Sequence, residues 1–201
     1  LHCSSAASDV YKRQLAQWHG AGIEVKAAVN ISARLLISPA FFDAVEAALR
    51  VSDTSASDLI FEVTESATMA DPAAALRALE GYRRMGIMIS LDDYGTGQST
   101  LTYLKTLPLG ELKIDRSFVE NAHEDSSDAL LVHSTVNLAH ALGLLVVAEG
   151  IETVECLDFL REVGCDLAQG YFVSRPLPAS ELLTLCLSNS TSPKTPVRTA
   201  A

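Results

Sequence analysis

Six short apolar runs in this chain each end on a carboxylate, an amide or a lysine, and helix-like sequence follows each one. The run from Val25 to Val29 meets Asn30, Leu59 to Phe61 meets Glu62, and Ile87 to Leu91 meets Asp92 and Asp93. Glu111-Leu112 ends at Lys113-Ile114-Asp115, Leu144 to Ala148 at Glu149, and Asp166 to Ala168 at Gln169. Buried parallel strands read as such runs. Six alternations of strand and helix with short connections predict a parallel α/β sheet. An open doubly wound sheet and a closed barrel both fit that alternation. Polar residues at every strand end, rather than at one crevice, favour the barrel, whose strand C-termini converge on one face. A complete barrel needs eight units and typically about 250 residues. The 201 residues are therefore expected to hold an incomplete (β/α) TIM-type barrel of about six β/α units, the first two missing ahead of Gln14.

The flanks read differently from the barrel segment, which is expected over residues 14–187. The head, residues 1–13, is rich in Ser and Ala without a clear period and reads as a linker or a foreign junction. Residues 188–201 are rich in Ser, Thr and Pro and are predicted to be disordered. A short helical stretch is expected from Gln14 to Trp18, closed by Gly20 and Gly22. Asp71-Pro72 predicts an N-cap followed by proline at the first helical position, with Leu76, Leu79 and Met85 on the apolar side and Gly86 at the end. Ser126 or Ser127 is expected to cap a long helix whose Leu131, Thr135, Leu138 and Leu142 share one face, with Gly143 stopping it. Val154, Leu157, Leu160 and Val163 predict one more amphipathic helix, ending at Gly164.

A formal net charge of −10 argues against non-specific binding to nucleic acid polymers or to an anionic membrane surface. Were the ligand a phosphodiester, divalent cations would have to offset the repulsion. No apolar run approaches the roughly 18 residues of a membrane span, and no signal peptide is apparent. Cys3, Cys156, Cys165 and Cys186 form no CxxC pair, so reduced thiols and a cytoplasmic setting are expected.

Asp92-Asp93-Tyr94-Gly95-Thr96-Gly97 is the strongest local signal. Two adjacent carboxylates at a strand end can reach two cations if they diverge, or one can bridge both, and the glycines let the loop turn beside them. Alone, the same residues would make an ordinary turn; alongside the other strand ends they do not read that way. Glu62 is expected to face the mouth, with Glu65 further out, where it could brace a neighbouring loop or simply suit a helix N-terminus. Asn30 offers a neutral oxygen for a hard cation. Lys113, inside a carboxylate ring, could orient a water, neutralise phosphate charge or form a Schiff base; the duller alternative is an exposed lysine paired with Asp115. Glu149-Gly150 repeats the acid-glycine theme, and Gln169-Gly170 closes the series. The histidines lack HxxxH or HxH spacing, and no Walker, GxGxxG or GxSxG pattern occurs.

In order, the segments VNIS, FEVTES, SLDDYGTGQSTLTYLKTLPLGELKIDRSFV, VVAEGIET and AQGYFVSRPLP resemble the EAL family, the bacterial phosphodiesterases that hydrolyse cyclic di-GMP. The resemblance implies a β/α barrel holding two Mg²⁺ or Mn²⁺ ions, usually as a homodimer. It implies metal-ligand roles for Asn30, Glu62, Asp92, Asp93 and Glu149, with Asp92 bridging. It makes Lys113 the holder of the attacking water and, with Glu149 and Asp93, part of the catalytic set. Substrate-binding or loop-supporting places fall to Glu65, Thr96, Asp115, Glu152 and Gln169. Upstream GGDEF, PAS or other sensory domains are expected in the parent protein, which could be membrane-anchored through them. Tyr94 stands where the family usually has Phe. The Glu-Ala-Leu segment that names the family, whose glutamate is a metal ligand, does not occur in the sequence. Hydrolysis of cyclic di-GMP to linear pGpG is therefore expected of the parent and impaired in this chain. Two rival readings are a non-catalytic module that binds cyclic di-GMP or a partner protein, and a Schiff-base lyase using Lys113.

Overall fold

The computed structural model describes residues 20, 25–51, 55–95, 101–178, 181–182 and 184. The expected helix at 14–18, the head and the tail lie outside the described residues. Six strands form one parallel sheet in chain order: β1 Ala27–Asn30, β2 Leu59–Thr64, β3 Met88–Tyr94, β4 Glu111–Ile114, β5 Leu145–Ala148 and β6 Leu167–Ala168. The sheet curls into a half-barrel, with helices covering its outer side. Among the described residues, β1 and β6 do not pair with each other, so the sheet is open.

The helices are α1 Ala33–Leu36, α2 Pro39–Arg50, α3 Glu65–Met69, α4 Pro72–Met85, α5 Leu101–Leu104, α6 Arg116–Val119, α7 Ser126–Ala141 and α8 Val154–Val163. Local signals set most of their ends. The Asp71 carboxylate accepts from the Ala74 amide, Pro72 follows it, and Gly86 at φ 99° ends α4 in the left-handed conformation. Thr153 and Gly164 do the same for α8.

The long helix corrects two expectations. Asp125, rather than Ser126 or Ser127, caps α7, its carboxylate accepting from the amides of Ser127 and Asp128. The face turned to the core centres on Val132, Val136 and Ala139, which are buried; Leu138 and Leu142 of the expected face pack beside them, half-buried, while Leu131 is 46% exposed. The i, i+4, i+7 spacing suits both sets of residues, and packing against β4 and β5 selects the smaller side chains. On α8 the buried residues are Cys156, Leu157 and Leu160, and Val154 at its start is exposed.

Period-2 alternation sorts each strand into two faces. Phe61, Val63, Ile89, Leu91, Leu112, Ile114, Val146 and Ala148 meet the helix layer and belong to the main core. The other face of the central strands carries Glu62, Ser90, Asp92, Glu111 and Lys113, the polar lining of the half-barrel.

Candidate active site

Glu62 was expected at a strand end but lies inside one, since β2 continues through Val63 to Thr64. Its carboxylate is 8% exposed and its Cα is in register with Asn30 on β1 and Ser90 on β3. The continuation follows from Val63, which is fully buried against the helix layer.

The two adjacent aspartates reach the mouth through a break in the ladder. Strands β3 and β4 pair at Ser90↔Glu111 and Leu91↔Leu112, then slip, and pairing resumes at Tyr94↔Ile114. Asp93 takes φ 56°, a left-handed conformation that Asp tolerates better than most residues. Without the bulge, Asp93 would point to the opposite face from Asp92. Gly95 follows at φ 103°, and a Cβ there would come within 2.9 Å of the Phe118 ring.

Lys113 is the hub of the site. It is 3% exposed, and its Nζ lies 2.6 Å from Glu149 Oε1 and 3.1 Å from both Glu62 Oε1 and Asp92 Oδ1. The expectation of an exposed lysine paired with Asp115 is thus replaced by a buried ammonium among three carboxylates. Burial alone pulls such an ammonium down. The hydrogen bond to Glu149 and the charges of Glu149, Glu62 and Asp92 outweigh it, and the pKa stands above that of an ordinary lysine. Burial raises the Glu149 carboxyl, with Lys113 pulling it back. Asp93 is raised by burial and by the charges of Asp92 and Asp115, against a lowering by Lys113.

Beyond β5 and β6 the ladder continues into the mouth loops. The Glu149 amide donates to Ile114 O, the Gln169 amide to Ala148 O, and the Ile151 amide to Gln169 O. Gly170 makes this possible, because a Cβ there would sit 2.2 Å from the backbone N and O of Ile151. Glu152, expected in the pocket, accepts from Arg116 Nη2 at 2.8 Å. Arg116 also bonds Glu120, i to i+4, and was not singled out from sequence; that spacing on α6 was the available signal. Asp115 caps α6 through the Ser117 amide. Glu65, the first residue of α3, is 4% exposed, and its charge joins burial in raising the Tyr94 phenol. Thr96 lies outside the described residues.

Asp92, Asp93 and Glu149 each offer an oxygen, and the three oxygens lie within 4.8 Å of one another. Carboxylate oxygens at this spacing suit a hard divalent cation such as Mg²⁺ or Mn²⁺ and not a thiophilic one. Asn30 and Glu62 line a cleft of about 430 Å³ between β1 and β2, together with Ser32, Thr64 and Ser66. The structure thus gathers Glu62, Asp92, Asp93, Lys113 and Glu149 at one end of the sheet, with Asn30 and Gln169 at its flanks. No helix among the described residues is long and apolar enough to cross a membrane.

The EAL domain family model matches residues 6–176. The bifunctional diguanylate cyclase/cyclic di-GMP phosphodiesterase MucR of Pseudomonas aeruginosa is 45% identical over 172 residues, 85% of this chain and 25% of that protein. This chain therefore spans about a quarter of that relative's length. The solved cyclic di-GMP complex of the PaMucR phosphodiesterase superposes with a TM-score of 0.82 at 44% identity, covering 87% of this chain and 71% of that one. The manganese/cyclic di-GMP complex of Klebsiella pneumoniae BlrP1 has a TM-score of 0.75 at 29% identity, over 85% of this chain and 43% of that one. The chain belongs to the EAL domain family.

Proposed function

We propose that the protein carrying this segment hydrolyses cyclic di-GMP to linear pGpG with two divalent cations, Mg²⁺ or Mn²⁺. The observation that carries the reading is the buried Lys113 ammonium held by Glu62, Asp92 and Glu149, next to the Asp92–Asp93–Glu149 oxygen cluster. Carboxylates in excess over one ammonium are a charge distribution that calls for cations. Asp92 is assigned to both ions, and Asn30, Glu62, Asp93 and Glu149 to one each. When bound, the two cations supply an activated water near neutral pH and a clamp on the phosphate oxygens.

Lys113 contributes in a defined way. Its Nζ stands within hydrogen-bond reach of Glu62, Asp92 and Glu149, which sets it as a donor to these carboxylates. It orients the attacking water and offsets phosphate charge, and its three carboxylate partners favour the ammonium over the neutral amine that Schiff-base chemistry needs. Glu65, packed at the base of α3, supports the chain after Asp93, and Gln169, Glu152 and Asp115 border the substrate. A homodimer and upstream sensory domains complete the proposal for the parent protein, in a cytoplasmic setting. The great length of the MucR relative supports the extra domains.

The test is Asp92→Asn in a parent with a complete barrel, assayed for turnover of cyclic di-GMP with saturating Mn²⁺. A loss of at least 10²-fold is expected, since a shared ligand holds both the activated water and the clamp. Near wild-type turnover refutes the assignment. A wild-type parent that binds cyclic di-GMP without cutting it is a binding module.

A further inference from the structure

One buried carboxylate plays no part in that mechanism. Glu111 opens β4 at 1% exposure, and its Oε1 accepts from Ser90 Oγ at 2.7 Å, with Ser90 at 0% exposure. Burying a carboxylate is costly, and an apolar pair of similar volume would be the cheaper core. What the polar pair has in its favour is place. Alternation puts Ser90 on the same face as Asp92, two residues on, and Glu111 on the same face as Lys113, two residues on. The bond between them lies one layer beneath the Asp92–Lys113 ion pair. Ser90↔Glu111 is also the first of only two regular pairs between β3 and β4 ahead of the bulge. Beyond those pairs the ladder slips and resumes only at Tyr94↔Ile114, so Asp92 and Asp93 themselves have no regular partner on β4.

We propose that Ser90 and Glu111 are positioning residues for the site: a buried cross-strand clasp that fixes the offset of β3 against β4, so that Asp92 and Asp93 meet Lys113 and Glu149 across the bulge. The inference rests on the phosphodiesterase reading for its effect on turnover, but not for its effect on structure. A slip of one strand against the other by a fraction of a residue would move the Asp92 oxygens by about 1 Å, which is enough to cost about 10²-fold in a positioned reaction. The clasp works by shape and hydrogen bonding. A glutamine at 111 still accepts from Ser90, whereas leucine cannot.

The experiment compares wild type, Glu111→Gln and the double variant Ser90→Ala/Glu111→Leu, which replaces the polar pair by an apolar one without leaving an orphaned hydroxyl. Three quantities are read: thermal midpoint, amide hydrogen exchange of residues 88–95 and 111–114, and Mn²⁺ affinity, with turnover of cyclic di-GMP as a fourth in the parent protein. The double variant is expected to keep a cooperative thermal transition. It should nevertheless exchange at least tenfold faster at residues 92–95, bind Mn²⁺ at least tenfold more weakly and lose kcat rather than KM. Glu111→Gln should stay within about threefold of wild type in all of these. Unchanged local exchange in the double variant overturns the inference, as does exchange that rises everywhere together with a fallen midpoint, since that is the mark of ordinary core packing. A wild type that neither binds Mn²⁺ nor turns over cyclic di-GMP would instead sink the two-metal reading, and the exchange data would still decide the clasp.

Discussion

Strands β3 to β5 and the flank formed by β1 and α2 belong to one sheet, yet they are packed very differently. All four residues of β4 are buried, and so are the last three of β5. In β1 three of four residues are exposed, Val29 at 41%, and α2 buries none of its twelve residues outright. Phe41, Phe42, Val45 and Leu49 of α2 reach the core only at its margin. The proposed site straddles this divide. Asp92, Asp93, Lys113 and Glu149 are held by interior strands, while Asn30 stands on the exposed edge. Among the described residues, the charged hub resides where the sheet is paired on both sides, and Asn30 where it is paired on one.

The largest effect expected is at the hub. Lys113→Met leaves Glu62, Asp92 and Glu149 facing one another without a cation, and breaking a buried ion pair on one side costs about 3–5 kcal/mol. Much of this should return with Mn²⁺, because a divalent ion restores the missing charge and binds only the folded chain. Thermal unfolding with and without excess Mn²⁺ checks both halves. A variant as stable as wild type in chelator would show that the interior strands are not charge-balanced by Lys113, and the contrast with the flank would fail.

Gly170→Ala comes next. Its Cβ would lie 2.2 Å from the Ile151 backbone, in the extension of the ladder that seats Gln169 between Ala148 and Ile151. Backbone cannot give way as a side chain can, and a loss of about 3 kcal/mol is expected by chemical denaturation. A loss below about 1 kcal/mol would mean that the β5–β6 mouth is as compliant as the β1 edge.

How much of this was legible follows the same divide. The strand ends could be read because apolar runs and the acids that close them are local features. The parallel sheet followed from their alternation with helices, and its curl from the polar residue at every strand end. The bulge was not legible, since it arises from the register of β3 against β4 and not from any residue of β3 alone. Glu62 was misplaced by two residues because an acid on the inner face of a strand looks, in sequence, like the end of the strand. Ser90 and Glu111 were absorbed into apolar runs, their polarity visible but their pairing not. The face of α7 was legible only in part: Leu138 and Leu142 reach the core, but contact with β4 and β5 centres the buried stripe on Val132, Val136 and Ala139.

A smaller effect lies at the seam between the two regions. Tyr82 is fully buried among Phe41, Phe42 and Phe61, and its hydroxyl finds no hydrogen-bond partner among the described residues. Burial pushes its pKa up to about 12. Tyr82→Phe removes an unsatisfied polar group while keeping the ring contacts, so a gain of about 1 kcal/mol is expected. A loss of similar size, measured by denaturant titration, would show that the hydroxyl has a partner and that the seam is as well satisfied as the interior.

The smallest stability effect, and the sharpest test of the division, belongs to Asn30→Ala. The side chain is exposed on an edge strand and lines the cleft beside Glu62, so its removal empties no core and orphans no buried group. Folding stability should change by no more than about 0.5 kcal/mol. Its proposed task is to lend one neutral oxygen to a cation whose other ligands are charged, and losing it should weaken Mn²⁺ binding by roughly tenfold. Calorimetric titration of Mn²⁺ beside a thermal melt separates the two quantities. If affinity falls while the melt stays put, Asn30 acts on the metal from a segment the fold does not depend on. A melt that falls with affinity unchanged would reverse the comparison, making β1 part of the framework and leaving Asn30 outside the ligand set.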